Sequence, residues 1–313
     1  RVEASRNFAN KVWNASRFIM MNMDENIIDE PSHDLFTPAD RWILSAANTL
    51  AKDVTDNMDK FELGIAVQKV YDFIWDEFCD WYVEMAKFRI YHKEEAPEAA
   101  NCALWVLKTV LAQGLKLLHP FMPFITEEIW QHLPHEGESI MISEWPEYDE
   151  KLNFPKDVES MELIMQSISA IRNRRAEMNV PPSKKAKVII VTDKTDVFEQ
   201  GTAFFEKLAS ASEAVVQTDK SGISDNAVNV VVPSAEVFLP LDELVDKTKE
   251  LERLNAEKKK LEGEIKRVEG KLNNAGFVSK APQKVVDEEK AKGEKYKEML
   301  EKVLENIKSM ENM

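Results

Sequence analysis

Cysteine is almost absent from this sequence. Only Cys79 and Cys102 occur, both inside strongly helical stretches, which excludes a four-thiolate zinc site or a disulfide framework and fits a reducing cytosol. Glycine is scarce as well, with nine in 313 residues. None of the glycine signatures of nucleotide or nucleophile sites is present: no G-x-G-x-x-G, no G-x-x-x-x-G-K-[ST], no G-x-S-x-G. No apolar run reaches eighteen residues and no cleavable signal segment stands at the start, so neither a membrane contact nor a secretory leader is expected. The chain begins at Arg1 rather than Met, which reads as a piece of something longer. Basic charge is also in short supply: 41 Lys and Arg face 56 Asp and Glu, a net charge of -15. General affinity for nucleic acid or anionic lipid is therefore not expected, and any polyanion contact must be local.

What is present is a helical pattern in three zones. All seven tryptophans lie in the first 145 residues, so a large aromatic core belongs there. Apolar residues recur three and four apart, as Phe8, Val12, Ala15, Ile19 and as Val70, Ile74, Phe78, Tyr82, Met85, which predicts amphipathic helices. Thr37-Pro38 with Asp40 reads as a helix start, as does Glu95-Ala96-Pro97; Leu118-His119-Pro120 ends the latter helix, and a shorter one runs from Phe124 to Leu133. Five helices over residues 1–156 predict a bundle. A sixth, from about 157 to 178, leads through Pro181-Pro182 into short β-branched runs at Val188–Val191, Ala214–Val216, Val228–Val232 and Val237–Leu239, with a helical pattern around Phe198–Leu208. Residues 157–246 thus predict a helix plus a small α/β module.

From about 249 the pattern becomes Leu251, Leu254, Lys258, Leu261, Ile265, Val268, Leu272, and it returns as Val286, Glu289, Gly293, Tyr296, Leu300, Val303, Ile307, Met310. Asn273-Asn274-Ala275-Gly276 supplies a stop and Ala281-Pro282 a restart. Residues 247–313 therefore predict an antiparallel two-helix coiled coil, about 36 Å long over 249–272, projecting as an arm. The fold class is mainly α.

Charge divides along the same lines: residues 1–246 hold 24 basic and 42 acidic side chains, while 247–313 hold 17 basic and 14 acidic. The arm is the least acidic zone. A second basic cluster, Arg172, Arg174, Arg175, Lys184, Lys185 and Lys187, lies where bundle meets module. On the first helix Lys11, Asn14 and Phe18 form a stripe beside the core stripe: a cation, an amide and an aromatic ring that could serve a nucleobase. The ordinary alternative is rim core for Phe18 and a solvated Lys11. His132-Leu133-Pro134-His135 looks like an H-x-G-H element but has proline for glycine and follows a helix, and Glu127, Glu128, His132 and His135 lack the i, i+3 spacing of a di-iron bundle. No catalytic residue and no metal ligand is expected.

The run Arg6 to Phe18 (RNFANKVWNASRF) resembles the start of the anticodon-binding helical domain of the valyl-tRNA synthetases. Asp40–Leu44 (DRWIL), Tyr71–Tyr82 (YDFIWDEFCDWY), Leu118–Glu128 (LHPFMPFITEE) and Arg175–Pro182 (RAEMNVPP) resemble the same family, in its order. Isoleucyl and leucyl enzymes share the bundle, but the coiled-coil ending and the missing cysteine zinc site favour the valyl family. The ATP-binding domain with its H-x-G-H and K-M-S-K-S elements is missing, as is the editing domain. The resemblance implies a cytoplasmic, monomeric fragment that binds valine tRNA, with no cofactor of its own and ATP used only by the parent enzyme. It further implies anticodon contacts at Lys11, Asn14, Phe18, Val83 and Glu84, and contacts to the tRNA backbone at Arg172, Arg174, Arg175, Arg253, Lys258, Lys259, Lys266 and Arg267. Alternatives are the equivalent part of an isoleucyl enzyme and, in a different class, a helical coiled-coil scaffold for a protein partner.

Overall fold

The computed structural model describes residues 2–23, 30–240, 244, 247–273 and 283–312. Its first helices are α1 (Val2–Asn22), α2 (Pro38–Asp59), α3 (Leu63–Asp72), α4 (Val83–Tyr91), α5 (Pro97–Leu118) and α6 (Pro123–Trp130). Helix α2 starts as its sequence predicts: Thr37 Oγ1 accepts from the Asp40 N–H while the Asp40 carboxylate accepts from the Thr37 N–H, with Pro38 opening the helix. Between α3 and α4 the backbone stays helical but widens into a π-helical stretch, Phe73–Tyr82. Val70, Ile74, Phe78 and Tyr82 follow one another at four-residue steps. Through this change of winding all four stay buried against the core.

Helix α7 (Pro155–Glu177) packs along α2 and also meets the module. There β1 (Ala186–Val191), α8 (Thr195–Glu199), α9 (Thr202–Leu208) and β2 (Ala211–Gln217) form a parallel crossover, followed by the hairpin β3 (Val228–Val232) and β4 (Ala235–Leu239). The sheet order is β2-β1-β4-β3, with Ile190 facing Val216 on one side and Val237 on the other. The single helical pattern around Phe198–Leu208 is two helices broken at Gly201. A Cβ there would come within 2.9 Å of Ile164 on α7, so glycine is what lets the turn sit on that helix. One continuous hydrophobic core runs from Phe8 through α7 to Leu239 and Leu244.

The arm has a core of its own. Its stems, Lys247–Leu272 and Gln283–Asn312, pair antiparallel around Leu254, Leu261, Val303 and Ile307. Gly293 sits opposite Val268, close enough that a Cβ would lie 3.2 Å from a valine methyl. Glu289 occupies a seam position, 8% exposed, held by Lys271 at 3.2 Å and Lys292 at 3.1 Å. The lysine hydrogen bonds, Lys292 first, keep its carboxyl below the usual range. The stop and restart at Asn273-Asn274-Ala275-Gly276 and Ala281-Pro282 lie, apart from Asn273, outside the described residues. No described helix is long and apolar enough to cross a membrane.

Candidate nucleic-acid interface

Helix α1 lies against the π-helical stretch and α4, and its stripe meets theirs. Lys11 is not a free cation: its ammonium sits 2.8 Å from an Asp80 oxygen and 3.8 Å from the centre of the Trp75 ring. Asn14 is exposed. Phe18 is half-buried at the edge of the core, with Tyr91 edge-on at 6.4 Å and the Lys87 ammonium 5.4 Å from its ring centre. Lys87 in turn pairs with Glu84, one turn before it on α4. Val83 points the other way. It is 5% exposed and belongs to the hydrophobic core, so its side chain offers no wall to a ligand, contrary to the sequence-based expectation; adjacent residues on a helix face 100° apart.

Two cations from the module side complete this face. The Arg172 guanidinium lies 5.2 Å from the Trp81 ring centre while its Nε donates to the Leu208 carbonyl at 2.6 Å. Lys207 on α9 sits 5.9 Å from the Tyr91 ring centre. Burial lowers both cations' pKa values, with nearby Glu84 acting in the opposite sense. Rings and cations thus alternate: Trp75 with Lys11, Trp81 with Arg172, Tyr91 with Lys207, Phe18 with Lys87. Such a surface brings ring faces and positive charge together in one place. Trp81, Lys87, Tyr91 and Lys207 were not singled out from sequence. Lys87 and Tyr91 share a face with Glu84 at i+3 and i+7, a signal that was available; Lys207 comes from a separate element and had none.

The basic cluster at the joint divides. Arg174 is exposed and pairs with Glu177 at 3.0 Å. Arg175 is 4% exposed and its Nη2 donates to the carbonyls of Lys184 and Pro181, tying down the segment that follows α7. Its expected contact with RNA backbone is therefore corrected: the guanidinium is buried, with Nη2 on the protein's own carbonyls and Nη1 enclosed without a partner among the described residues. Along the arm Lys259, Lys266 and Arg267 are exposed, Arg267 being 3.2 Å from Glu264, whereas Lys258 is half-buried at a seam position. The Arg253 side chain lies outside the described residues. At the end of α6, the His132 and His135 rings each donate to a backbone carbonyl, of Glu128 and Leu133 respectively.

On the far side of the π-helical stretch a cleft is lined by Trp42, Asp53, Asp72, Phe73, Glu77 and Glu162. Burial pushes the Glu77 carboxyl up to about 7, with Asp76, Glu162 and Asp72 adding to the shift. Among the described residues no group of three or more His, Cys, Asp or Glu is placed to hold a metal ion.

Residues 40–190 match the family described as the anticodon-binding domain of tRNA ligases. Residues 246–311 match the valyl-tRNA synthetase tRNA-binding arm. The chain is 58% identical to the valine–tRNA ligase of Clostridium perfringens over 314 residues, 99% of this chain and 36% of that protein. Corresponding proteins of Clostridium acetobutylicum and Bacillus anthracis are 54% and 44% identical, again over 99% of the chain and 35% of their own length. The class is thus that of the anticodon-binding domains of tRNA ligases. The chain carries the arm as well, and it belongs to the valyl-tRNA synthetase family, spanning about a third of the length of the curated relatives it matches.

Proposed function

We propose that this chain binds valine tRNA, meeting the anticodon on the face between α1, α4 and α9 and the outer corner with the arm. The observation that carries the reading is that face, where four rings each lie within reach of a cation in a chain that is otherwise strongly acidic. All valine codons begin GU, so the anticodon's middle and third bases are A and C. Phe18 provides a stacking surface, Lys87 and Lys207 neutralise phosphate, and Glu84 accepts from an exocyclic amine, which both bases carry. The arm contacts backbone by shape and charge through Lys259, Lys266 and Arg267. Residues 1–156, 157–246 and 247–313 act as anticodon bundle, connecting module and arm, in a cytoplasmic monomer. The whole protein attaches valine to its tRNA at the expense of ATP, and this chain alone does not.

The test is titration of the chain with valine tRNA, with valine tRNA altered in its two anticodon bases, and with an unrelated tRNA. Preference for the first by tenfold or more supports the reading. Equal binding of all three, or none, replaces it with that of a scaffold. Valine-dependent pyrophosphate exchange by the chain would overturn the absence of catalysis.

A further inference from the structure

A cavity of about 300 Å³ opens between α4 and α9, bounded by Met85, Phe88, Gln200, Ala203, Phe204 and Lys207. It is at the small end of ligand-site volumes, ~300–1,000 Å³. Phe88 stands at its edge, 53% exposed although aromatic. The polar groups that reach the inner wall are already engaged: Thr37 Oγ1 and the Arg89 guanidinium both bond the buried Asp40 carboxylate. Neither Thr37 nor Arg89 is therefore free to bind a ligand. The remaining polar groups, the Gln200 amide and the Lys207 ammonium, carry no hydrogen bond among the described residues. Lys207 also belongs to the proposed RNA face, through Tyr91 and thence Phe18, so cavity and face are continuous.

From this we infer that the cavity receives one unstacked nucleobase of the RNA loop, additional to the base stacked on Phe18. The inference rests on the proposed reading of that face. Rings and apolar side chains take the faces of the heterocycle, the Gln200 amide offers a donor and an acceptor to its edge, and Lys207 meets the phosphate left at the mouth. Phe88 and Lys207 are thereby binding residues.

The test uses the whole chain and a valine anticodon stem-loop in which each loop nucleotide in turn is made abasic. Wild-type protein is expected to lose about tenfold in affinity at one loop position besides those served by Phe18, the effect of one lost base stack. Ala203→Trp fills the cavity from an exposed position, and Phe88→Ala removes a wall that is half in solvent. Each should cost about tenfold on intact RNA and nothing further on RNA abasic at that one position, with unchanged circular dichroism; should either fail to fold, the other decides. Losses that multiply at every position overturn the inference. If Phe18→Ala weakens binding while both cavity variants bind like wild type, the cavity assignment falls and the face stands. If no protein binds the stem-loop, both fall.

Discussion

Arg89 grips the carboxylate of Asp40, 49 residues earlier in the chain, with both of its terminal nitrogens, Nη1 donating to Oδ2 at 2.8 Å and Nη2 to Oδ1. Asp40 is fully buried, and Tyr82 donates to it as well, at 2.5 Å. The same carboxylate caps α2. One acid therefore holds the start of α2, the end of the π-helical stretch and the last turn of α4, the helix that carries Glu84, Lys87 and Tyr91.

Removing the arginine leaves that acid buried without its counterion. Arg89→Met should destabilise the body by about 3–5 kcal/mol, read as a shift of the urea midpoint at constant slope. A loss under about 1 kcal/mol would show that Tyr82 and the cap suffice.

Glu77 carries a pH signature. Its folded value of about 7 exceeds the ordinary 4.5, so the folded state holds a proton that the unfolded chain has released between those pH values. Its penalty is absent below about pH 4, grows through that window and is complete above pH 7. Glu77→Gln should thus stabilise the body by on the order of 1–3 kcal/mol at pH 8 and leave it unchanged at pH 4. Equal effects at both would point to packing instead.

Phe18 and Lys11 should separate in their effects. Phe18→Ala is expected to weaken anticodon stem-loop binding about tenfold with the fold intact. Lys11→Met should chiefly lower stability, because its charge is engaged with Asp80 and Trp75, and Lys207→Met, at a cation with no ion pair among the described residues, should cost more RNA affinity than Lys11→Met. Isothermal titration beside thermal melts reads both quantities. The reverse order would return Lys11 to the RNA.

Deleting 247–313 should weaken binding to all tRNAs similarly and flatten its dependence on salt, as the proposed contact of the exposed arm cations with backbone rather than bases requires. A salt slope unchanged by the deletion would make the arm a purely structural element.

Glu289 should support the arm only while ionised. Its carboxyl titrates below the usual range, so its contribution is present above the ordinary carboxylate pKa and is lost as pH falls through the lowered one. Glu289→Leu should raise the arm's melting temperature at acid pH, where wild type has lost both lysine pairings, and admit slipped registers, detectable as altered cross-linking between cysteines introduced one on each stem. An unchanged acid melt would mean the pairings contribute nothing.

Helices were legible because their apolar residues recur on one face, and the arm's seam because Leu254 and Leu261 stand a heptad apart on one stem as Tyr296 and Val303 do on the other. The site was legible only in part. A side chain's type and its helical face are local properties, so Phe18 and Glu84 could be placed on the candidate face. What surrounds them is not local: Lys207 arrives from α9, Lys11 is met by Asp80, and Arg175, in a run of basic residues expected at RNA backbone, is drawn inside by two carbonyls of the segment after α7. The inward turn of Val83 was missed for a different reason. Val83 lies about 100° around the helix from Glu84, and here that turn carries it into the core.

The arm's core shares no residue with that of the body, which frees its length from the body's design. A heptad added to each stem extends such a rod by about 10 Å and repacks nothing elsewhere. The span between the two proposed RNA contacts can therefore be reset in discrete steps by paired insertions or deletions alone, while the proposed anticodon face is left untouched. Among family members, differences in arm length should come in matched multiples of seven on the two stems.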